Sequence, residues 1–127
     1  MLLRRLSLVL ALAWMTWIFY LSNQPTLDIP SLFDNQDKAM HFVAYGVLGI
    51  FVLGAMPLQL IGYRSAQVWL ATSIASLYGI SDEFHQSFVP GRTPDVVDWL
   101  ADTSGALLAV LLIAHFSRSF NRSRRLG

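Results

Sequence analysis

Lys38, His41 and Tyr45 follow one another at spacings of three and four, which places them on one helix face. Asp82, Glu83 and Gln86 form a second polar group. Arg92 follows, and then Asp95, Asp98 and Asp102, of which the last two share a helix face with Gly105. These residue types define a short menu of chemistry. Lys38 and Arg92 are suited to gripping phosphate or carboxylate. His41 beside an acid is a candidate general base. Only His41 and His85 offer nitrogen ligands near these acids, and no single element has metal-ligand spacing. No tightly bound transition metal and no cofactor is therefore expected. There is no GxSxG and no P-loop, and the chain has no cysteine, which excludes disulfides, thiolate metal sites and a cysteine nucleophile.

The elements that must carry these residues are overwhelmingly apolar. Of the 127 residues, 54% are hydrophobic and only 13% are charged, against about 25% charged in an ordinary soluble domain. So small a water-soluble core cannot hide that many apolar side chains, and lipid is the expected solvent. Four apolar runs predict membrane helices over about 6–22, 37–56, 66–83 and 94–116. Each has about the length needed to cross a bilayer. Arg4 and Arg5 before the first run would also suit a signal peptide, but no small-x-small cleavage site follows, and Trp14, Trp17 and Tyr20 suit a retained helix near an interface. Asn35 is a candidate N-cap for the second helix, and Pro57 stops it. Small residues in the third run (Ala71, Ser73, Ala75, Ser76, Gly79) allow close helix approach. Thr93-Pro94-Asp95 reads as the start of the fourth, with Thr93 as N-cap. The tail after Phe116 is basic and polar. The expected fold is thus an all-α, four-helix transmembrane bundle, one domain over residues 1–127.

Charge orients it. One end of such a bundle collects Arg4, Arg5, Arg64, Arg118, Arg122, Arg124 and Arg125, seven of the nine basic residues and none of the eight acids. The other collects Asp28, Asp34, Asp37, Asp82, Glu83, Asp95, Asp98 and Asp102, with Lys38 and Arg92. Basic ends stay cytoplasmic, so both termini are expected inside and the polar groups outside. The basic tail reads as a topology determinant that touches anionic lipid headgroups. It has neither the fold nor the aromatic pattern of a nucleic-acid binder.

Asp37, Asp95 and Asp98 sit at helix N-termini, where the macrodipole favours negative charge. Asp82 and Glu83 sit at a helix C-terminus, where it does not. They are therefore expected to pair with Lys38, Arg92 or a protonated His41. Such a network serves equally well as glue between helices or as a ligand site, since intramembrane ionisable groups are functional more often than those of soluble proteins. His85 and His115 need no special role.

DKAMHFVAYGVLG (37–49) and SDEFHQSFVPGRTPDVVDWLADTSGALLA (81–109) resemble the VanZ-like family, small bacterial membrane proteins whose founding member is associated with resistance to the glycopeptide antibiotic teicoplanin. The resemblance is carried by Asp37, Lys38, His41 and Phe42; by Asp82, Glu83 and Gln86; by Pro90, Gly91 and Arg92; and by Asp95, Asp98 and Gly105. Asp102 stands where many members have Asn. The resemblance implies a bacterial inner-membrane protein. The expected function is non-enzymatic: an outward-facing site binding an amphiphilic cell-envelope ligand, either a glycopeptide antibiotic or a lipid-linked wall intermediate. The alternative is a membrane-embedded hydrolase or transferase acting on a lipid phosphate, with Lys38 and Arg92 holding the phosphate. Membrane lipids are the expected partners.

Overall fold

A computed structural model describes residues 1–25, 30, 32–58 and 63–126, with side chains as far as Ser123. Asp28, counted above among the outer acids, lies outside the described residues, as do positions 59–62 of the second loop and the side chains of Arg124 and Arg125. The described residues form four helices: α1 (Leu2–Ser22), α2 (Gln36–Ala55), α3 (Ser65–Gln86) and α4 (Val96–Leu126). α1, α2 and α4 are long and apolar enough to cross a membrane. α3 has the length, 22 residues, but carries polar side chains along its course, from Gln67 through Thr72, Ser73 and Ser76 to the Asp82–Gln86 group.

Large apolar side chains cover the outside of the bundle, and several carboxylates are enclosed within it. Leu12, Trp17, Trp69, Leu77, Phe84, Leu108 and Phe116 point outwards, while Asp82, Glu83, Asp98 and Asp102 are buried. A soluble domain buries its large apolar groups and keeps its carboxylates wet; the reverse arrangement suits a hydrocarbon solvent. α2 is central and packs on all three other helices, most extensively on α4, whereas α1 and α4 do not meet. The α2–α4 contact is close because Gly105 has no side chain: a Cβ there would run into the carbonyl of Phe42. The core around Leu48 and Leu53 combines small residues on α3 and α4 (Ala71, Ala75, Ala106, Ala114) with Ile18, Tyr45, Val52, Val68 and Val110.

The helix ends differ from expectation in several places. Asn35 is the N-cap residue of α2 and takes a left-handed conformation (φ 59°), but it makes no side-chain cap bond. α4 begins one residue after Asp95, not at Thr93. Asp95 is the N-cap: its carbonyl accepts from Asp98 N and Trp99 N, and its carboxylate accepts from Val97 N at 2.8 Å. At the far end α4 runs ten residues past Phe116, because the tail holds no Gly or Pro before Gly127.

α1 is fastened largely through main-chain oxygens. Tyr78 donates to Met15 O at 2.6 Å, and Arg92 donates to Leu21 O at 3.1 Å and Gln24 O at 2.9 Å. Trp14 of α1 returns the contact by donating to Ala44 O at 2.8 Å. At the opposite end Arg4 donates to Ala55 O, so each of these two helices ends on an arginine.

Candidate functional site

The C-terminal ends of α1 and α3 and the N-terminal ends of α2 and α4 meet at one end of the bundle, and the polar residues gather there in three layers. The outermost is organised by Lys38. Its ammonium lies 3.0 Å from Asp37 Oδ2, 2.7 Å from Asp95 Oδ2 and 2.7 Å from Asp98 Oδ1. The contact to Asp98 is an ion pair without hydrogen-bond alignment. The hydrogen bond from Lys38 holds the Asp95 carboxyl below the ordinary aspartate range.

The middle layer joins His41 to α4. His41 Nδ1 is 2.9 Å from Asp102 Oδ1, and its Nε2 is 4.0 Å from Asp98 Oδ2. Asp102 is fully enclosed at 0% exposure. Space for it comes from α3: a Cβ on Gly79 would lie 2.9 Å from Asp102 Oδ2. Tyr45, one turn below, stacks nearly parallel to the His41 ring at 6.4 Å.

The third layer departs from the expected pairing. Glu83 does not take Lys38 or Arg92 as partner. Its Oε2 accepts the main-chain N–H of Asp95 at 2.7 Å. Unsatisfied N–H groups and the positive end of the dipole at the start of α4 offer what the end of α3 denies. Asp82 Oδ2 accepts from Gln86 Nε2 at 3.3 Å, and the same nitrogen is 3.4 Å from Ser22 Oγ. Arg92 makes no ion pair among the described residues. The Val89–Arg92 turn explains its position: Pro90 and Gly91 (φ 82°) occupy its centre and Arg92 N donates to Val89 O, the pattern of a type II turn. That turn aims the guanidinium at the end of α1.

Buried polar atoms are left over. Tyr45 OH, Asp82 Oδ1, Glu83 Oε1 and Asp102 Oδ2 have no hydrogen-bond partner. Beside them opens a cavity of about 480 Å³, lined on its apolar side by Ile18, Leu21, Met40 and Ala44, and on its polar side by His41, Tyr45, Asp82, Gln86 and Arg92. A smaller cavity on the other side reaches Glu83 and Asp95 beside Trp99. The sequence reading missed Ser22 and the apolar wall from α1, since nothing in that run distinguishes a cavity-facing leucine from a lipid-facing one. It also missed that His41, Glu83 and Asp102, from three different helices, each offer a ligand atom within a span of 4.8 Å. His85 lies apart, against Phe19 and Asn23.

Long apolar helices with buried carboxylates confined to one end define a small helical membrane protein with a terminal polar site. Residues 7–117 match the VanZ/LLP1 family model, and the chain belongs to that family. Comparison with curated proteins and with solved structures gives no match.

Proposed function

We propose that residues 1–127 form one inner-membrane domain crossing the bilayer four times, with both termini cytoplasmic, and that the outward-facing cavity binds an amphiphilic cell-envelope ligand. The observation that carries this reading is the cavity itself, which sets an apolar wall from α1 and α2 against a polar wall from α2, α3 and Arg92. Its volume of about 480 Å³ lies within the range of drug-sized ligand sites. It suits the headgroup or a chain segment of a lipid-linked intermediate, whereas a glycopeptide antibiotic enters only in part. The carboxylate of Asp82 on the polar wall, beside Tyr45 and Gln86, favours a ligand that donates hydrogen bonds, through hydroxyl or ammonium groups. A role in glycopeptide resistance would follow from engaging such an intermediate.

The hydrolase or transferase reading asks Lys38 and Arg92 to grip a phosphate. Lys38 already serves three carboxylates and Arg92 two carbonyl oxygens, which favours binding over turnover. Native mass spectrometry of protein released from mild detergent tests the proposal. One amphiphile should co-purify with the wild type and be lost from Met40→Trp, which fills the cavity from its apolar side. No bound amphiphile, or equal retention by Met40→Trp, would overturn it.

A further inference from the structure

We infer that His41, Glu83 and Asp102 form a binding site for a divalent transition-metal cation of the Mn²⁺, Fe²⁺ or Zn²⁺ kind. The three come from α2, α3 and α4, and their ligand atoms lie within 4.8 Å of one another. One imidazole nitrogen with two carboxylates is a donor set these ions accept, while Mg²⁺ and Ca²⁺ prefer oxygen alone. The expectation of no metal rested on the lack of ligand spacing within one element. This group is assembled across three helices, where no spacing within one element reveals it.

Two further observations point to a cation. The first is unspent donor capacity. Glu83 is 8% exposed and Asp102 0%, yet Glu83 Oε1 and Asp102 Oδ2 have no partner. Buried carboxylate oxygens are ordinarily satisfied. The second is charge. Asp82, Glu83 and Asp102 have no Lys or Arg within 4.0 Å among the described residues; Lys38 is committed to Asp37, Asp95 and Asp98. His41 is the basic group that reaches this inner set. Three buried carboxylates facing one imidazole leave an excess of negative charge that a divalent ion neutralises. The site has approaches on two sides, since His41 lines the larger cavity and Glu83 the smaller. The inference stands whether or not the larger cavity takes an amphiphile.

The test uses the full chain in mild detergent, stripped with chelator and titrated with Mn²⁺ while the electron paramagnetic resonance signal of the free ion is followed. The wild type should take up one equivalent, and its thermal midpoint should rise with Mn²⁺ concentration. Glu83→Gln and Asp102→Asn, which keep the shape of the side chains, should each weaken uptake by more than roughly tenfold, the loss caused by removing even an outer partner of a metal ligand. His85→Ala should bind as the wild type does. If both carboxamide variants fail to fold, the spin-echo modulation of the Mn²⁺-loaded wild type decides: a single directly bound imidazole nitrogen supports the site, and no nitrogen coupling overturns it. Absence of saturable uptake, or uptake unchanged in Glu83→Gln and Asp102→Asn, also overturns it.

Discussion

The guanidinium of Arg92 lies 3.1 Å from the carbonyl oxygen of Leu21, 71 residues earlier in the chain. With its second bond, to Gln24 O, it ties the α3–α4 turn to the end of α1. Arg92→Ala should therefore destabilise the protein in detergent by about 2 kcal/mol, the order expected for hydrogen bonds from a charged donor. Adding Asp82→Asn should not restore stability, because Arg92 and Asp82 are not partners. Thermal denaturation of the two single variants and the double should give additive losses within about 0.5 kcal/mol. Clear recovery in the double would mean that the two charges are coupled after all.

Lys38 should behave differently. Its removal orphans Asp98, whose side chain is only 12% exposed. Lys38→Ala should cost about 3 kcal/mol, the lower end for an uncompensated buried charge. Lys38→Ala with Asp98→Asn should recover part of that loss, and Lys38→Ala with Glu83→Gln should not. The same melting measurements distinguish the two doubles. Equal recovery in both would show that Lys38 acts on the whole cluster as a diffuse charge.

Gly105→Ala should separate α2 from α4. The new methyl meets main chain, the Phe42 carbonyl, rather than a flexible side-chain end. Overpacking of this kind costs about 1–3 kcal/mol and sometimes more. The expected result is a lower yield of monodisperse protein on gel filtration and a depressed melting point. A wild-type melting point for Gly105→Ala would rule out so close an approach.

The proposed orientation can be read with thiol reagents, since the chain has no cysteine of its own. Ser87→Cys, exposed just after α3, should react with an impermeant maleimide in intact cells. Asn121→Cys, near the end of α4, should react only after the membrane is opened. Labelling of Asn121→Cys from outside would reverse the assignment.

The helices and their common polar end were legible because hydrophobic runs and the sorting of Arg from Asp are written directly in residue types. The bonds within that end were not. Matching acids to cations by charge led from Glu83 to Lys38 or Arg92, yet Glu83 found the Asp95 N–H and Arg92 found carbonyl oxygens. Main-chain donors and acceptors are present at every residue, so a list of side chains cannot reveal which become available. They become available at helix ends, and the end of α4 was itself misplaced by the Thr93-Pro94 signal. The tail was harder still: Arg, Ser and Asn from 117 to 123 carry no apolar stripe, yet nothing in them stops a helix that is already running, and α4 reaches 31 residues, roughly 46 Å at 1.5 Å each.

α1 gives oxygen atoms of its own main chain to Tyr78 and Arg92, and every amino acid has such an oxygen. These attachments therefore place little demand on which residues α1 contains at Met15 and Leu21. Substitutions along its outer face can follow the thickness and composition of the surrounding lipid while the helix stays in place, and those along its inner face can reshape the wall of the cavity. One segment can thus diverge between relatives, changing what the cavity admits, while the charged cluster built from the other three helices keeps its form.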